Sequence, residues 1–123
     1  MKASSSPLET GHTGEDMAIV FLEGLGYRIL ERNWRFRGFE VDIIASKNGV
    51  LHIVEVKTKK GNRGGYPESR VDHRKFKFLQ AASDAYRHMH PQWQMLQFDI
   101  VSITLQPGGG APELFFIEDV YYW

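Results

Sequence analysis

Along the chain, apolar positions recur first at helical and then at strand spacing. Met17, Val20, Phe21 and Leu25 lie near a helical repeat. Thr13 opens the stretch T-G-E-D, a capping signal, and Gly26 suits the C-terminal end. The Ser-rich residues 1–11 carry no such repeat and are expected to form a disordered tail, leaving 12–123 as a single domain. YRILERNWRF, FEVDIIAS and VLHIVEVK read as strands. A basic, glycine-rich loop, TKKGNRGGYPES, should follow them. VDHRKFKFLQAASDAYRHMH reads as a second helix, with Val71, Phe78, Leu79, Ala82 and Tyr86 as its buried stripe and Pro91 as its stop. MLQFDIVSITL and ELFFIEDV are two further strands around the turn QPGGGAP. The order is helix, three strands, helix, two strands, a mixed α/β fold with helices packed on a central sheet.

The turn Asn48-Gly49 gives this pattern chemical content. Asn-Gly favours a two-residue hairpin turn, which pairs Lys47 with Val50. Ile44 then meets Ile53, Asp42 meets Glu55 and Glu40 meets Lys57, with all four charges on one face. Like charges placed opposite each other destabilise a sheet. Two close, partly buried carboxylates must share a proton or hold a cation. Mg²⁺ suits them, since it takes one or two carboxylates and keeps several waters. Lys57 could orient a water or stabilise a phosphate oxygen, which completes the parts for metal-assisted phosphodiester hydrolysis. The same four charges could instead form a solvated salt-bridge ladder.

Composition narrows the choice. The chain has 123 residues, no cysteine and zero formal net charge, so it offers neither disulfides nor thiolate chemistry. No apolar run is long enough to span a membrane, and the first residues lack the apolar stretch of a signal peptide. A cytoplasmic protein is expected. The charge is unevenly spread: Gly26 to Leu79 hold 13 basic and 6 acidic residues. That asymmetry suits a polyanion partner for the middle of the chain. The five histidines include no zinc-binding pattern, and no phosphate-binding glycine motif is present.

G-E-D-M-A at 14–18, G-Y-R-I-L-E-R-N at 26–33, F-E-V-D-I-I-A at 39–45 and I-V-E-V-K at 53–57 together resemble the YraN-like family of small bacterial proteins. That family is similar to Holliday junction resolvases within the PD-(D/E)xK nuclease superfamily. The resemblance spans roughly residues 13 to 103. It implies a restriction-endonuclease-like αβββαβ core and an endonuclease site using Mg²⁺ or Mn²⁺ on DNA, with branched DNA a candidate substrate. Asp42 and Glu55 would be metal ligands, with the Val56 carbonyl a further one. Lys57 would position or activate the attacking water, and Glu15 would complete the site from the first helix. Glu40, an accessory candidate, matches the glutamate of the family's G-E-I-D stretch. Phe39 stands where the family usually has glycine.

Lys59, Lys60 and Arg63 follow the proposed site and are candidates for nucleic-acid contact, as are Arg35 and Arg37. Lys75 lies on the second helix, where the family also tends to carry a lysine. RNA stays open as a ligand, and a two-fold homodimer would suit a junction. The rival reading is a non-catalytic DNA-binding or adaptor protein on a nuclease fold. A third is a structural protein whose aromatic C-terminal residues cover a partner.

Overall fold

The computed structural model describes residues 7–61 and 72–120, with side chains from Thr13 onward. Its elements are α1 (Pro7–Gly24), β1 (Arg28–Phe36), β2 (Phe39–Lys47), β3 (Val50–Lys60), α2 (His73–Met89), β4 (Met95–Leu105), a short 3₁₀ turn (Pro107–Gly109) and β5 (Glu113–Ile117). The five strands form one sheet in the order β1-β2-β3-β4-β5. Neighbours run antiparallel except β3 and β4, which are parallel. A parallel pair needs a crossover, and the segment containing α2 makes it. This is the expected mixed α/β fold, consistent with a restriction-endonuclease-like core. Among the described residues no helix is long and apolar enough to cross a membrane.

The β2–β3 turn forms as the sequence requires. Asn48 and Gly49 have φ of 53° and 78°, the left-handed values of a type I′ turn. The expected register follows, from Lys47↔Val50 to Ile43↔Val54. Three boundaries differ. Helix α1 begins at Pro7, inside the expected tail, because proline is tolerated in a first helical turn. Strand β3 continues through Lys59 and Lys60, which pair with Thr104 and Leu105 of β4 and so belong to the sheet instead of a loop. Strand β5 stops at Ile117. Beyond it Val120 is buried, and its N–H donates to the Phe98 carbonyl at 2.7 Å.

Each helix covers one face of the sheet. On the α1 side, Ala18 and Leu22 pack with Ile43, Ala45, Val54, Val101 and Ile103. On the α2 side, Leu79, Ala82 and Tyr86 pack with Val41, Ile44, Ile53 and Ile100. The buried row of α1 is therefore Gly14, Ala18 and Leu22. Val20 and Leu25, expected inside, are 69% and 44% exposed. Residues 17–22 are apolar all round, so periodicity alone could not select the buried side. Phe78 is also displaced from the expected buried stripe and is 38% exposed, while Val71 lies outside the described residues.

A polar knot crosses the α1 side near the start of β3. His52 Nδ1 donates to Asp99 Oδ2 at 2.6 Å, and both side chains are buried. Asp99 Oδ1 also accepts from Gln97 Nε2 at 2.8 Å and from the Asp119 N–H at 3.0 Å. The knot ties β3, β4 and the segment after β5 together. Burial, then Asp99 and Glu118, push the neighbouring Tyr27 hydroxyl up to about 12.

Gly14 sets how closely α1 lies on β3. A Cβ there would collide with Thr58 Oγ1, on a β-branched side chain with little rotamer freedom. Gly14→Ala is therefore expected to lower stability by about 1–2 kcal/mol despite alanine's better helix propensity. Thr58→Ala in the same chain should recover much of that loss. Urea denaturation of the single and double variants checks this; a more stable Gly14→Ala would contradict it.

Candidate active site

The site lies where β2 and β3 part. Their ladder ends at Ile43↔Val54, so the expected rungs Asp42↔Glu55 and Glu40↔Lys57 do not form. The cause is visible one position further along β2. Residues two apart on a strand should share a face. Val41 packs in the α2-side core, however, while Ile43 packs in the α1-side core. The neighbouring strand turns at the same level. Trp34 faces α2, whereas Arg32 reaches Asp16 of α1 at 2.6 Å. Between them Asn33 adopts φ of 53°, a left-handed value that asparagine tolerates better than most residues. This local rotation carries the Asp42 side chain into the gap between the strands. Its Oδ2 accepts the Val56 N–H at 2.8 Å, in place of a backbone carbonyl of β2.

A residue in an antiparallel ladder directs its N–H and its carbonyl to the same neighbour. The Val56 carbonyl is thus directed to the same gap, past the last β2–β3 rung. Glu55 and Lys57 project by alternation to the α2 side, with Ile53. Glu55 is mostly buried, and its Oε2 lies 3.5 Å from Lys75 Nζ on α2. Its Oε1 is buried without a hydrogen-bond partner. A buried, unsatisfied carboxylate oxygen is costly and calls for a cation or a proton.

Asp42 shows the same demand. Its carboxyl is pushed up to about 7, first by burial, then by the charge of Glu55 and by a hydrogen bond to it. The Val56 N–H and the Lys75 ammonium oppose the shift. Asp42 thus keeps its proton into the neutral range, held there by burial and by the neighbouring Glu55. Mg²⁺ or Mn²⁺ fits this donor set of two carboxylates and a carbonyl, all hard oxygen ligands. The remaining positions would be filled by water.

The other candidates lie around this pair. Glu15 of α1 faces Arg32 Nε at 3.6 Å. Among the described residues no group of three or more His, Asp or Glu side chains is gathered closely enough to hold a metal, so Glu15 does not form a three-carboxylate cluster with Asp42 and Glu55. Glu40 pairs with Arg35 at 3.2 Å across the β1–β2 hairpin. Lys57 is half-buried and stands opposite Ser102 of β4. Lys59 lies two residues further along the strand. Arg37 sits at the hairpin turn, its guanidinium 5.2 Å from the centre of the Phe36 ring. Arg63 lies outside the described residues.

Sequence reasoning missed the pairing of Lys75 with Glu55. One signal was available. His73, Arg74 and Lys75 open α2 with no acidic residue in its first turn. Cations there oppose the helix dipole. Asp72, the N-cap, accepts from the Lys75 N–H at 2.9 Å, and Glu55 is the second anion, facing the Lys75 ammonium.

Fold and site together define a small α/β protein with a coupled carboxylate pair at a break in its sheet. The model of the uncharacterised protein family UPF0102 matches residues 14–103. The chain belongs to that family. A UPF0102 protein of Persephonella marina is 45% identical over 95 residues, covering 76% of this chain and 82% of its own. One from Bacteroides thetaiotaomicron is 41% identical over 100 residues, covering 81% and 83%. One from Cytophaga hutchinsonii is 40% identical over 98 residues, covering 79% and 86%.

Asp42 gives the site a pH signature. The unfolded chain releases this proton near 3.8 and the folded protein near about 7. Between those values the native state binds a proton that the unfolded state lacks, so stability falls as pH rises through that window. Each unit of difference corresponds to about 1.4 kcal/mol. Asp42→Asn keeps an acceptor for Val56 and gains a donor for Glu55. It is expected to flatten the profile and to exceed the parent in stability at pH 7.5, by about 1–3 kcal/mol. Denaturation midpoints between pH 4.5 and 7.5 check both points. An Asp42→Asn variant that is weaker at pH 7.5 would contradict them.

Proposed function

We propose that the protein is a divalent-metal-dependent endonuclease hydrolysing phosphodiester bonds of DNA. One observation carries the reading: the buried Asp42 carboxyl and Glu55, with its orphaned Oε1, lie where the Val56 backbone leaves the β2–β3 ladder. Asp42, Glu55 and the Val56 carbonyl would hold Mg²⁺ or Mn²⁺. Once bound, the metal would supply Lewis acidity at the phosphate and a more acidic water. Lys57, on the same face as Glu55, would donate hydrogen bonds to a phosphate oxygen or to the attacking water, and so stabilise charge that grows in the transition state. Lys75, 3.5 Å from Glu55, would offset that carboxylate's charge and donate to a phosphate oxygen. The hairpin arginines Arg35 and Arg37, with Lys59, would position the DNA backbone.

Among the described residues no third carboxylate gathers with Asp42 and Glu55, which favours a second reading, a DNA-binding or adaptor protein that does not cut. It requires salt-sensitive binding without any metal dependence.

Calorimetry with Mn²⁺ and cleavage assays on linear and branched DNA separate the two. The nuclease reading expects metal binding and metal-dependent cleavage by the parent. It further expects Asp42→Asn and Glu55→Gln to lose cleavage about 100-fold or more while still binding DNA. Equal cleavage by the parent and both variants would mean that the activity does not arise at this site.

A further inference from the structure

A row of aromatic rings leads from the β1–β2 hairpin tip to α2; Trp34 and Phe39 rest against the α2-side core, and the row ends at the exposed Phe78. Trp34 and Phe36 lie parallel, with centroids 6.1 Å apart and planes within 3°. Phe36 and Phe39 are partners across the Arg37-Gly38 turn. Phe39 in turn meets Phe78 of α2 at 5.0 Å. Two cations cap the row: Arg37 lies 5.2 Å from the centre of Phe36, and Arg74 lies 5.5 Å from that of Phe78. Phe78 is off the buried stripe of Leu79, Ala82, Ser83 and Tyr86, which leaves it 38% exposed.

The row leads to the carboxylates along both elements. Phe39 precedes Asp42 by three residues, about 10 Å of strand. Phe78 follows Lys75 by three residues on the same helical face, and Lys75 touches Glu55. Arg74 and Lys75 stand in the first turn of α2, beside the Asp72 cap, as two cations within reach of a phosphate between the row and the carboxylates.

We propose that this row is a stacking platform for unpaired bases, so that the DNA strand entering the site is single-stranded beside the reacting phosphodiester. The inference rests on the nuclease reading and narrows its substrate. Aromatic rings and guanidinium planes bind the flat faces of bases, with arginine or lysine taking the intervening phosphates. In a duplex those faces are already stacked, and only edges are offered. A row of rings with an arginine at each end, one of them over the exposed Phe78, therefore matches an unpaired strand better than it matches a double helix.

The test uses the full chain without metal, a single-stranded oligonucleotide carrying 2-aminopurine, and the same sequence as a duplex. Stacking quenches 2-aminopurine fluorescence. The parent is expected to bind the single strand more tightly than the duplex and to quench it. Phe78→Leu keeps apolar volume but loses the π face. It should weaken single-strand binding about tenfold and abolish the quench, with duplex binding unchanged. Should Phe78→Leu fail to fold, Arg74→Met, which keeps a stem over the ring, should weaken single-strand binding in the same direction. Preference for the duplex, or variants that bind and quench like the parent, would overturn the platform. Metal-dependent cleavage lost in Asp42→Asn would leave the nuclease reading standing in that case. A parent that binds neither DNA form would remove both.

Discussion

Between Ile43 and Val54 the β2–β3 ladder stops, and the next backbone donor, the Val56 N–H, is taken by the Asp42 carboxylate. Much of the site depends on that substitution of a side-chain oxygen for a backbone one. It holds the two strands at a fixed separation without a further rung. It also places Asp42 in the plane of the sheet, where burial and Glu55 raise its proton affinity. A regular strand would instead have set the two carboxylates side by side on a face, where solvent could screen them. The rotation at Asp42 and Asn33 thus turns a row of surface charges into a buried pair that competes for one proton.

The surrounding fold keeps the break local. On the α1 side, Gly14 and Ala18 let the helix lie close against β3, so the strand carrying Glu55 and Lys57 is clamped from behind. On the other side α2 brings Lys75 to Glu55. Near the start of the strands the His52–Asp99 knot joins β3, β4 and the segment after β5 through buried hydrogen bonds. Such a network is favourable only when its members are satisfied, which fixes how these elements lie together. β2 and β3 part at one end and are joined at the other by the Asn48-Gly49 turn and the rungs from Lys47↔Val50 to Ile43↔Val54.

The hairpin was legible in the sequence because Asn48-Gly49 permits few turns, and the turn sets the register. The meeting of Asp42 with Glu55 followed from it, although as a rung of partly buried carboxylates on one face instead of an in-plane pair. Register arithmetic assumes strict alternation, and a left-handed Asn33 breaks alternation without leaving a pattern in the sequence. The exposed face of α1 escaped for a related reason, since an all-apolar run has no polar side to mark. The salt bridge from Lys75 joins elements with an unpatterned crossover between them. Its trace was the unfavourable placement of cations at the start of α2.

The reading of the carboxylate pair as a metal site is tested most directly by crystals grown with Mn²⁺, using the anomalous signal of manganese to locate the ion. The expected result is a strong peak between Asp42 and Glu55, within coordination distance of the Val56 carbonyl, and its loss in Asp42→Asn. A fully occupied peak elsewhere, with no ion between Asp42 and Glu55, would contradict the account and leave the pair as a structural contact.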